Sequence, residues 1–232
     1  MIATAGAASG YARLVLLDAT EDERELSPDR AWWLRVPATL VSPRPVFFAL
    51  REDDPDDVAA RSEPVLLLVL LAGMAAVLAS PTAGGLLDKD DYDVLLVAIW
   101  AFVAGGIYGA VGYFFTGFAL FFGARLFGSL GGFRRERQLV GFALAPLALS
   151  LLVLLPVRLA LYRGDTFRAT GADEGTGETA LLAVQLAFAA WSLALLVLGV
   201  RVVHGWSWLR SLAAIGAGAA LLVAVVGVFA TL

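Results

Sequence analysis

Five blocks of this chain contain no Asp, Glu, Lys, Arg or His: Val65–Ser80, Val94–Ala124, Leu139–Val157, Ala180–Val200 and Ser211–Leu232. In hydrocarbon no water is present to satisfy backbone N–H and C=O groups. An apolar run of roughly 17–25 residues therefore crosses a bilayer as a helix, which pairs those groups internally. The pattern predicts an all-α fold, a polytopic transmembrane helical bundle of five spans at about residues 64–80, 94–127, 139–157, 179–200 and 211–231. Hydrophobic residues make up 59% of the chain, above the roughly 45–50% of soluble domains, and the excess lies in these blocks.

The stretch Gly128–Pro146, GSLGGFRRERQLVGFALAP, reads as a short basic turn leading into the third span. Cytoplasmic loops are enriched in Lys and Arg, so Arg134, Arg135 and Arg137 are the expected topology determinants. The second block is ambiguous. Residues 94–127 cover 34 positions, about 51 Å as a helix against a hydrocarbon core of roughly 30 Å. One long helix or two helices bent at Gly105, Gly106, Gly109 and Gly112 both fit. With a single crossing and the N-terminus inside, eight of the twelve basic residues from Arg51 onward lie inside and four outside. With two crossings the count becomes five inside and seven outside, or seven to five with the N-terminus outside. The count favours one crossing and leaves the other open.

Before the first span the chain changes character. Residues 1–30 are expected to form a mobile arm. They lack the basic and apolar regions of a signal peptide, so the N-terminus is expected to be retained. Residues 31–63 divide into a membrane-surface segment and an acidic linker. Pro37, Pro43 and Pro45 prevent a single spanning helix, and one or two short helical pieces are expected. Trp32, Trp33, Arg35, Arg44, Phe47 and Phe48 suit the headgroup level of an interfacial amphipathic segment. Packing of the same aromatics on the bundle is the equal alternative. Trp206 and Trp208, flanked by Arg201 and Arg210, form a second interfacial group. The linker's DDPDD lacks the spacing of a calcium loop and reads as a solvated charge run.

Little chemistry is on offer. There is no cysteine and one histidine, and no phosphate-binding loop, dinucleotide fingerprint or nucleophile elbow. No catalytic, cofactor-binding or metal-ligating residue is proposed from the sequence, no cofactor is implied, and His204 reads as interfacial. The net charge of −4, without a basic face, gives no footprint for nucleic acid. Ion-coupled pathways usually need intramembrane ionisable groups, and the blocks hold none. What they do hold is packing chemistry. Gly105 with Gly109, and Ala214 with Gly218, are small-xxx-small pairs that let helices approach closely. They serve contacts between spans or a homo-oligomer. Pro146 is expected to kink the third span.

Several stretches resemble the Yip1-domain family of five-span membrane proteins in a prokaryotic form. They are WLRVPATLVSPRPVFFAL before the membrane, Leu130-Gly131-Gly132, Val140 to Pro146, Trp191 to Gly199, and Arg210-Ser211. The resemblance runs from about residue 32 to the end. The N-terminal arm lacks the tyrosine- and glycine-containing signature of the eukaryotic trafficking members, so Rab GTPase binding is not carried over, and no catalytic residue transfers. The expected function is a non-enzymatic scaffold that organises membrane proteins or lipids in a prokaryotic cell membrane, N-terminus cytoplasmic. Its expected partners are the lipid bilayer and other membrane proteins or a second copy. The alternative is a permease or channel component for a small neutral solute.

Overall fold

The computed structural model describes residues 28–52, 62–80, 82–88, 93–168 and 176–230. The arm up to residue 27, the linker 53–61 and the polar loop 169–175 lie outside the described residues. All regular structure among the described residues is helical.

Helices α1 (Pro28–Val41) and α2 (Pro43–Glu52) come first. They part at Ser42, just before the second proline of the segment, and Pro37 lies inside α1. α2 is amphipathic: Val46, Phe47 and Leu50 are buried while Arg44 and Arg51 face outward. Next comes α3 (Glu63–Leu78), opened by Pro64 in its first turn, where a missing N–H costs nothing. It is 16 residues long, rises about 24 Å, and eight of its residues are buried.

α4 (Val94–Leu126) settles the ambiguous block as one unbroken helix of 33 residues. Asp93 caps it, its carboxylate accepting the Leu96 N–H at 2.7 Å. The stretch expected as a basic turn is instead helical. α5 (Phe133–Ala143) starts before the arginines and carries them in its first turns. The chain breaks at Leu144, whose N–H is shared between Val140 and Gly141 carbonyls at 3.1 and 3.2 Å. α6 (Ala145–Tyr162) then begins with the fully buried Pro146 near its N-terminus. Proline has no N–H to give to the carbonyl four residues back, so the two helices meet at a joint. α7 (Thr176–His204) and α8 (Trp208–Ala230) complete the bundle.

Four helical stretches are long and apolar enough to cross a membrane by length and composition: Val94–Leu126, Phe133–Phe167, Gly177–His204 and Trp208–Val225. The shorter apolar α3 packs among them, against α4, α6 and α5. Only 17% of the α7 and α8 windows is buried, so their apolar surfaces point outward, as a helix solvated by lipid requires. A core of Phe142, Leu139, Val65, Leu68, Tyr113 and Val200 joins α3, α4, α5 and α7.

The closest approaches are made by small residues. A Cβ on Gly73 of α3 would overlap the Gly105 carbonyl and meet Gly109 Cα at 2.7 Å; one on Gly109 would meet the Val69 carbonyl at 2.5 Å. Further along α4, a Cβ on Gly123 would overlap the Ala214 carbonyl of α8, and one on Gly218 would meet the Ala119 carbonyl at 2.5 Å. The two small-residue pairs expected from the sequence therefore lie at contacts within this chain.

Gly73→Ala should push α3 from α4 and lower stability in detergent by about 1–3 kcal/mol, the usual cost of overpacking. Gly112→Ala, on α4 and facing open space, should change it by less than about 0.5 kcal/mol. Thermal unfolding of the two variants, side by side, measures the difference. Equal effects would remove the backbone contact from the account.

Candidate functional site

Polar and charged groups gather at one end of the bundle. α4 ends on Gly128 and α7 ends on Gly205, with φ of 81° and 67°. Both adopt the left-handed conformation that favours glycine and turns a chain out of a helix. Arg210 of α8 donates to the Phe127 carbonyl, tying the two turns together. The loop 127–132 and the loop 205–207 thus emerge side by side.

Three polar side chains meet between them. Glu136 is wholly buried in the first part of α5. His204, in the last turn of α7, places Nε2 3.0 Å from Glu136 Oε1, an ion pair when the ring is protonated. The two atoms are close but not aligned as a hydrogen bond. Ser129 Oγ lies 3.4 Å from His204 Nδ1 and accepts the Gly131 N–H at 3.0 Å. A Cβ on Gly131 would come within 3.0 Å of Glu136 Oε1 and 3.2 Å of Ser129 Oγ. A side chain there would therefore need Glu136 and Ser129 to give by a few tenths of an ångström.

Serine, histidine and glutamate are the residue types of a nucleophilic triad, but a nucleophile has to reach a substrate. Ser129 is 5% exposed and Glu136 fully enclosed. The arrangement suits a clasp that joins α5 and α7 and the loop after α4. Among the described residues no group of three or more His, Cys, Asp or Glu is placed to hold a metal ion.

Around the clasp, arginines sit on aromatic rings. His204 stacks on Trp206 at 4.4 Å, and Arg210 lies 4.6 Å from the Trp206 ring centre. Arg201 lies 4.4 Å from Trp208, Arg35 4.2 Å from Trp32, and Arg125 5.0 Å from Phe121. Arg137 is surrounded by Tyr113, Phe114 and Phe133 at 5.6, 4.7 and 5.2 Å. Each such contact contributes about 0.5–2 kcal/mol depending on desolvation. It covers the apolar faces of a guanidinium while leaving its edge available.

The residues expected at the membrane surface divide. Trp32 and Phe47 are covered by the chain itself, Trp32 against Phe142 and Phe47 beside Gly199 and Leu139. Packing on the bundle, the alternative reading, describes these two. Trp33, Phe48 and Trp208 are about half exposed, and Arg44 and Arg134 are exposed. Glu136 and His204 were not singled out as a pair from the sequence. The available signal was helical phase, because Glu136, Leu139, Val140 and Ala143 share one buried face of α5.

Removing one partner of the clasp leaves the other buried alone. Glu136→Ala and His204→Ala should each destabilise the protein by about 3–5 kcal/mol. The apolar pair Glu136→Leu with His204→Phe should recover most of that loss. A double-mutant cycle on unfolding in detergent reads the coupling. Additive single and double effects would mean that the two groups do not act together.

No curated protein and no solved structure matches the chain. A family model described as the Yip1 domain matches residues 38–231. That match covers α2 through α8 and the clasp between α5 and α7. The chain belongs to the Yip1 domain family, as a membrane protein with a helical bundle.

Proposed function

We propose that the chain is a non-enzymatic, five-span scaffold that organises membrane proteins or lipids, with α3 as the additional short crossing. The observation that carries this reading is how the described helices pack at the middle of the bundle. There apolar side chains pack together and main chain meets main chain. The polar pocket beside Ser150, Gln185, Arg158 and Thr166 has a volume of about 30 Å³, on the order of one water molecule. It lies on the side of the bundle away from the clasp. The other grooves are largely apolar and open outward, and a cavity of about 180 Å³ between α3, α4, α5 and α6 has Tyr108, Tyr113 and Thr116 in an otherwise apolar wall. Passage of a neutral solute would need a polar, hydrated route, which this packing does not support.

The clasp end is the proposed cytoplasmic side. It gathers Arg125, Arg134, Arg135, Arg137, Arg201 and Arg210, as the positive-inside tendency requires. The cell membrane of a prokaryote is the proposed location.

Two experiments test this. Proteoliposomes of the purified chain should be no more permeable to glycerol or urea than empty vesicles. Saturable flux would favour the permease reading and sink the scaffold. For orientation, the chain has no cysteine of its own, so single cysteines report cleanly. A cysteine at Thr82 should react with an impermeant thiol reagent added outside intact cells. Cysteines at Leu130, 93% exposed, and at Ser207 should not. The reverse pattern would invert the topology.

A further inference from the structure

We propose that the groove along α7 is a binding site for one anionic glycerophospholipid on the clasp side of the membrane. Its acyl chain would lie along α7 and its phosphate would meet Arg44 and Arg201. The proposal does not depend on the scaffold reading and would hold equally for a permease.

The groove has a volume of about 650 Å³. Its wall is apolar, formed by Ala190, Trp191, Ala194 and Leu198 among others of α7. From residue 190 to 198 the wall rises about 12 Å along the helix, the direction an acyl chain takes. Ala190 and Ala194 make it concave, and Trp191 is exposed beside them. Two residues of other helices change the chemistry of this wall. They are Trp208 of α8 and Arg44 of α2, one turn before Phe47, which meets Gly199. Arg201 lies against the Trp208 ring at 4.4 Å. An apolar slot, an amphipathic ring beside it and two guanidiniums along its edge match the tail, glycerol region and phosphate of one lipid.

Charge decides the occupant. Among the described residues neither Arg44 nor Arg201 forms an ion pair, and Arg201 Nε is buried without a hydrogen-bond partner. Guanidinium offers a forked set of donors that suits phosphate. A second copy docking here would bring its own arginine-rich end to the same level, like charge against like.

The test uses the full chain, purified in mild detergent and stripped of lipid. Dioleoyl phosphatidylglycerol or dioleoyl phosphatidylcholine is added and bound molecules are counted by native mass spectrometry. One phosphatidylglycerol per chain should be retained, with a preference of about thirtyfold over phosphatidylcholine from two basic contacts. Arg44→Gln with Arg201→Gln should abolish the preference. Arg134→Gln, exposed at the same end, should leave it intact. Because Arg201 packs on Trp208, its loss could disturb folding. Ala194→Phe fills the exposed groove while keeping both arginines and should also release the lipid.

Five outcomes overturn the proposal. These are equal retention of both lipids, an Arg134→Gln loss as large as the double variant's, and unchanged retention in Ala194→Phe. The fourth is dimers that Ala194→Phe dissociates, which would make the groove an interface between copies. Displacement of the lipid by millimolar inorganic phosphate would reduce the site to an anion site and equally overturn it.

Discussion

α4 touches its neighbours with its main chain. Gly105 and Gly109 lie on Gly73 of α3, and Gly123 lies on Ala214 and Gly218 of α8. Between helices in a membrane there is no hydrophobic drive to association, since lipid tails are as apolar as leucine. Close packing of small residues supplies dispersion contact instead. Two crossings of this kind fix α3, α4 and α8 relative to one another. The remaining helices fill the space this leaves, with Phe142, Leu139 and Val65 closing the core between α3, α5 and α7.

The clasp solves a different problem. α5 enters the bundle with Arg134, Arg135, Glu136 and Arg137 in its first turns. A carboxylate enclosed without a partner would be costly. His204 meets it from the end of α7, and the tight Gly131 loop closes over both. Around it Arg137, Arg201 and Arg210 lie on aromatic rings. That leaves a surface rich in guanidinium edges at a single end, which favours an anionic leaflet. The same device, a ring beneath a cation, recurs on α1, α4, α5 and α8.

Four of the five expected spans are helical stretches long and apolar enough to cross a membrane; hydrocarbon leaves a backbone few choices, so runs without ionisable residues mark them. The small pairs Gly105/Gly109 and Ala214/Gly218 were legible as packing faces. Their partners, Gly73 and Gly123, were not, since spacing says nothing about which helix will cross. The arginine stretch read as a turn because charge density resembles a loop. Its helical phase becomes visible only once α5 is extended back to Phe133, and that phase alone puts Glu136 inward. Trp32 and Phe47 could not be separated from Trp33 and Phe48 by composition. Whether lipid or protein covers an aromatic depends on where α1 and α2 dock.

The central claim is that the bundle is sealed along α4, with water reaching only its ends. Amide hydrogen exchange of the chain in lipid nanodiscs addresses it directly. Amides of residues 101–124 in α4 and 139–151 in α5 and α6 should stay unexchanged over hours, while those of the loops 128–132 and 205–207 exchange within minutes. Fast exchange on the α4 face toward α3 and α8 would reveal a hydrated path through the middle and contradict the account.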